Sequence, residues 1–108
     1  MDKDTLEKMA TNAFDNAQAA RDSLFDAVEQ TIEIKLKLEA DKSAANLAGK
    51  FDGKNADLRK DQARAYLPEQ YSALEAAEKS SRRARWQFDN ATLDVDTAKT
   101  LLRIAELP

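Results

Sequence analysis

From Thr5 to Ala48 the chain contains neither proline nor glycine, so nothing in its backbone chemistry halts a helix anywhere along that span. Steps of four and three then pick out Leu6, Ala10, Ala13, Ala17, Ala20, Leu24, Ala27, Thr31, Ile34 and Leu38. A seam of this period places one apolar stripe along one side of an α-helix and is the mark of coiled-coil-like packing. Beside it, Phe14, Phe25, Val28 and Ile32 widen the apolar surface. Asp4 or Thr5 is positioned to cap the start, and Asp2, Asp4 and Glu7 suit the positive end of the helix dipole.

The only two glycines fall close together, at positions 49 and 53, and mark the turn. Asn55 is a good N-cap for a helix opening Ala56-Asp57-Leu58-Arg59. Pro68 disfavours helical geometry in Leu67 and removes an amide donor, so a break or kink is expected there. Beyond it a second seam runs through Leu67, Tyr71, Leu74, Ala77, Ser81, Ala84, Phe88, Ala91, Val95, Ala98, Leu102 and Ala105. The expected layout is one domain, with a helix over about 4–50, a turn at 51–55, a short helix over 56–66 and a long helix over 68–106.

Two long seams joined by a tight turn predict an all-α fold, a long antiparallel helical hairpin with a short middle helix. Setting Leu6 against Leu102 puts Ala20 opposite Phe88 and Leu24 opposite Ala84, so that large residues meet small ones. One stretch disagrees with the pattern. Ile32-Glu-Ile34-Lys-Leu36-Lys-Leu38 alternates with period two, a strand signal, yet no second strand is present to pair with it. It is read as a helix buried on two sides. One side meets the long second helix; the other is covered by residues 56–66, through Leu58, Ala65 and Tyr66, or by a second copy of the chain. Otherwise Phe14, Phe25, Ile32 and Leu36 are left in water, so self-association is expected.

Composition narrows the function. The 108 residues hold no cysteine and no histidine, which removes thiolate sites, disulfides and the commonest general base and metal ligand. No cofactor or metal is expected, and no enzymatic activity. Asp15, Asp22, Asp26 and Glu29 read as a solvated face, and Asp89, Asp94 and Asp96 do not share one face tightly. Asp52-Gly53-Lys54-Asn55 lacks the further ligands of a calcium loop and the extra glycines of a phosphate loop. The N-terminus lacks signal-peptide character and no apolar run approaches a membrane span, so a cytoplasmic location is expected, with no membrane partner.

The sharpest local feature is Lys79-Ser-Ser-Arg82-Arg83-Ala-Arg85-Trp86, four positive charges and a tryptophan without a single acid. With Ser81, Ala84 and Phe88 in the seam, Lys79, Arg82, Arg83, Arg85 and Trp86 project outward, placed to bind an acidic protein surface or phosphates. The plainer reading is a charged surface paired with Asp22, Asp26 and Glu29. The hairpin tip adds Lys50, Lys54, Arg59, Lys60 and Arg64, diluted by Asp52, Asp57 and Asp61. Lys54, Asn55 and Arg59 are the tip residues placed to touch a partner. With a net charge of −3, binding of nucleic acid by bulk charge is disfavoured.

Gly53-Lys54-Asn55-Ala56-Asp57-Leu58-Arg59, followed by a break and a long Ala/Glu/Arg-rich helix carrying Trp86 and Leu101-Leu102-Arg103, resembles a group of small phage and prophage helical-hairpin proteins with a G-K-N-x-x-x-R turn. The resemblance covers residues 50–105 and implies a phage accessory protein expressed in a bacterial cytoplasm, with no assigned chemistry. Together these readings give a non-enzymatic protein that works by binding another protein, as an accessory or inhibitor. The alternative is a nucleic-acid accessory protein that uses the basic patch.

Overall fold

The structure is a computed structural model and describes residues 2–108. It is all-helical among those residues: α1 spans Lys3–Leu47, α2 Ala56–Tyr66 and α3 Pro68–Ala105. Helices α1 and α3 pack against each other as a hairpin. The contacts divide the chain into two units. One comprises the chain up to Ala27 together with Ser81 onward; the other is Val28–Ser80. No helix among the described residues is long and apolar enough to cross a membrane.

Helix α1 starts two residues earlier than a cap at Asp4 would set it, and three earlier than one at Thr5. The Asp2 carboxylate accepts from the Thr5 amide at 2.7 Å, making Asp2 the cap, and the Asp2 carbonyl takes the Leu6 amide. Neither Asp4 nor Thr5 serves, because both already lie inside the first turn. At the other end α1 stops at Leu47 rather than near Lys50. Gly49 adopts φ +76°, its amide reaches the Asn46 carbonyl, and the Lys50 amide reaches the Ala45 carbonyl. That pair of bonds is a Schellman motif, which satisfies the last carbonyls and turns the chain out of the helix.

Pro68 breaks the chain rather than kinking one helix. Leu67, at φ −122° and ψ 53°, ends α2 through its amide to the Ala63 carbonyl. Its own carbonyl takes the Tyr71 amide, so α3 opens with Pro68 at a position where the missing N–H costs nothing. Leu67 is buried at this joint.

In the first unit the core is the seam. Leu6, Leu24, Ala84 and Ala98 are buried, and Ala10, Ala13, Ala17, Ala20, Ala27, Ser81, Phe88, Ala91, Val95 and Leu102 are half-buried. Ala105, the last seam position, is exposed where α3 ends. The Ser81 hydroxyl donates to the Ala27 carbonyl at 3.1 Å. In the second unit Leu38, Ala45, Ala63 and Leu67 are buried, and Thr31 donates to the Ala77 carbonyl at 3.2 Å. Both bonds obey the register that sets Leu6 against Leu102. One heptad on from Leu24 and one back from Ala84 lie Thr31 and Ala77; the same step from Ala20 and Phe88 gives Ala27 and Ser81.

The period-two stretch is helix, as expected, but it is buried on one side only. Leu38 and Ile34 face the seam, whereas Ile32 is 52% and Leu36 66% exposed. Helix α2 does not cover them. It buries Ala63, leaving Leu58, Ala65 and Tyr66 exposed. The reason lies in the tip, which holds α2 by contacts of its own.

Candidate interaction surfaces

At the tip, Asn55 takes an extended conformation and its side-chain oxygen accepts from the Leu58 amide at 2.9 Å, capping α2. The Arg59 guanidinium, one turn on, donates to the Gly53 carbonyl at 3.0 Å. Gln62 closes the loop from below: its carbonyl oxygen accepts from the Gly53 amide at 2.9 Å, and its amide donates to Asp52 at 2.8 Å. Gly53 is required by this closeness, since a Cβ there would stand 2.8 Å from the Leu58 Cβ and 3.1 Å from the Arg59 nitrogen. The G-K-N-x-x-x-R spacing is therefore a turn-locking device. Gly admits the approach, Asn caps, and Arg ties the carbonyl.

The remaining tip cations divide. Lys50 stacks its ammonium 5.8 Å from the Tyr66 ring centre, and that ring meets Phe51 edge-on at 6.2 Å. Arg64 lies 4.9 Å from the Tyr71 ring and 3.7 Å from the Glu75 carboxylate, an exposed pair that contributes little to stability. Lys54 and Lys60 are exposed and have no ion pair among the described residues. Lys60 and Arg59 stand with Lys42, Asn46, Phe51 and Tyr71 around a shallow cleft beside α2. Of the predicted tip residues, Lys54 is free to meet a partner, while Asn55 and Arg59 are engaged in holding the turn. Gln62, absent from the sequence reading, carries two of the loop's bonds, and nothing in its spacing distinguished it.

On α3 in the first unit, Arg82, Arg83, Arg85 and Trp86 are all exposed, Trp86 at 67%. Arg82, Arg85 and Trp86 fall at i, i+3 and i+4 and share a helix face; Arg83 adjoins it, three before Trp86. The expected ion pairs with Asp22 and Asp26 do not form. Asp22 lies 3.6 Å from its neighbour Arg21, and no carboxylate among the described residues comes within ion-pair distance of Arg82, Arg83 or Arg85. In the second unit Lys79 is likewise exposed and unpaired among the described residues, and Glu29 is exposed.

An exposed indole flanked by unpaired guanidiniums can do two things chemically. The guanidiniums present planar forks of donors to carboxylates or phosphates, and the ring offers a large apolar area with a single donor. No protein-family model, curated protein or solved structure matches the chain.

Proposed function

We propose that this protein acts without catalysis, by docking the Arg82/Arg83/Arg85/Trp86 face of α3 onto an acidic surface of another protein. The observation that carries this reading is the state of those side chains: three guanidiniums without an acid partner among the described residues, beside a tryptophan two-thirds in water. Tryptophan and arginine are the residues on which binding energy concentrates in protein interfaces. The net charge of −3 argues against bulk phosphate binding as the main role, since the acids elsewhere on the chain repel a polyanion. Lys79 and Lys54 are exposed cations that extend the same preference for acidic partners. The likeness of the Gly53–Arg59 turn to phage hairpin proteins supports a host or phage protein of a bacterial cytoplasm as that partner, one that this chain escorts or inhibits.

The experiment is a pull-down of the tagged chain from bacterial lysate, with and without nuclease, beside an Arg82→Ala/Arg83→Ala/Trp86→Ala variant. A protein that survives nuclease treatment and is lost with the triple variant is the expected result. Capture that disappears on nuclease treatment would transfer the arginines to nucleic-acid binding, and capture indifferent to the triple variant would remove this face from the reading.

A further inference from the structure

Val28, Ile32 and Leu36 occupy positions i, i+4 and i+8 of α1, forming one ridge in the second unit, and they are 38%, 52% and 66% exposed. The only other helix in that unit with free apolar side chains, α2, leaves Leu58 and Tyr66 exposed instead of laying them on the ridge.

We infer that the ridge is the contact between two copies of this chain, packed antiparallel about a two-fold axis at Ile32. A two-fold interface must be complementary to itself, and this ridge is. With Ile32 facing Ile32 of the second copy, positions four before and four after meet, so Val28 packs against Leu36 of the second copy. Positions three before and three after also meet, which sets Glu29 against Lys35 of the second copy, twice per dimer. Glu29 and Lys35 are both exposed and have no ion-pair partner among the described residues. Ridges at four-residue spacing interdigitate in the commonest mode of helix packing. Centring the axis on Val28 instead sets Leu36 against Ala20, a residue of the seam, and Lys35 against the like charge of Arg21. The α3 face shares no residue with this one, so the inference stands or falls independently of the proposed partner.

Sedimentation equilibrium over a concentration series tests it. The full chain should sediment at twice its 12.0 kDa mass. Ile32→Glu, which brings two carboxylates together at the axis, should sediment as the monomer with an unchanged helical circular dichroism spectrum. Glu29→Lys and Lys35→Glu should each weaken association by roughly tenfold through like-charge contacts. The double variant Glu29→Lys/Lys35→Glu should restore it. A wild-type chain that remains at monomer mass, or a dimer indifferent to Ile32→Glu, overturns the interface. Failure of the double reversal to rescue the single ones overturns the register. Because both charged residues are solvent-exposed, these variants decide the matter even where Ile32→Glu perturbs folding.

Discussion

The Ser81 hydroxyl on α3 donates to the Ala27 carbonyl on α1 at 3.1 Å, joining two residues that belong to the apolar seams of their helices. A hydroxyl can reach a main-chain carbonyl across a helix pair only where both residues are small. In the second unit the Thr31 hydroxyl does the same to the Ala77 carbonyl at 3.2 Å, in the opposite direction. A slip of the hairpin by one heptad would part both pairs, so the two polar seam positions specify register where plain alanines would tolerate sliding.

Ser81 therefore tolerates loss of its hydroxyl better than gain of volume. Ser81→Ala should lower stability by up to about 1 kcal/mol, the net value of one hydrogen bond. Ser81→Leu should cost about 1–3 kcal/mol by forcing the helices apart at Ala27. Urea denaturation followed by circular dichroism checks both; equal losses would show that the site is not close-packed.

Leu38 is 3% exposed and is the largest side chain so deeply buried in its unit's seam. Leu38→Ala should destabilise by about 2–4 kcal/mol through lost transfer energy and the cavity left behind. Leu93→Ala, at an exposed position of α3, should stay within about 0.5 kcal/mol of the parent. Thermal melts of the two variants give the comparison directly.

The tip makes a separate prediction about glycine. Gly53→Ala should cost about 1–3 kcal/mol, because its Cβ meets the Leu58 Cβ and the Arg59 nitrogen, and neither is free to move without shifting α2. Gly49→Ala has open space around its Cβ but must hold φ +76°, which costs about 1–2 kcal/mol. Amide exchange at Leu58 and Arg59 should accelerate in the first variant and not in the second.

On the α3 face, Trp86→Ala should weaken binding to the captured partner by about tenfold or more while leaving the melting transition in place. Arg82→Ala/Arg83→Ala should weaken it less at high salt than at low salt. A steep log-linear fall of wild-type affinity with salt, with little effect of Trp86→Ala, would instead be the signature of phosphate contacts.

The Asp2 carboxyl is held below the ordinary carboxylate range, first by the Thr5 backbone amide and then by the Thr5 hydroxyl. A depressed folded-state value means that the cap contributes in full above the ordinary aspartate range and is lost as pH falls through the lowered value. The first turn of α1 should then fray in acid ahead of the rest of the helix. The Thr5 amide shift in a pH titration reports this, and Asp2→Ala should show the frayed shift at neutral pH.

Much of the fold is legible in local chemistry. The seam positions from Leu6 to Leu38 coincide with the residues that α1 removes from water, because a helix has one face and a three-four period names it. Asn55 reads as a cap because its side chain needs only the amide three residues ahead. The end of α1 reads near Lys50 in the sequence and falls at Leu47 in the structure, because a glycine signals a turn without stating which carbonyls its neighbours will satisfy. The cap at Asp2 is hidden for a related reason: several acids and a threonine compete within four residues, and Asp2 is the one that reaches an amide.

The sequence by itself determined where the helices run, which face each of the two long helices buries and that those two faces match, since propensity, capping and periodicity act within a few residues. Tertiary structure alone decided which side chains remain free. Arg59 is drawn to the Gly53 carbonyl, and Arg82, Arg83 and Arg85 find no acid among the described residues although Asp22 and Asp26 lie on the facing helix. It also decided that α2 leaves Ile32 and Leu36 uncovered. Those outcomes depend on distances between elements remote in the chain, and no local spacing encodes them.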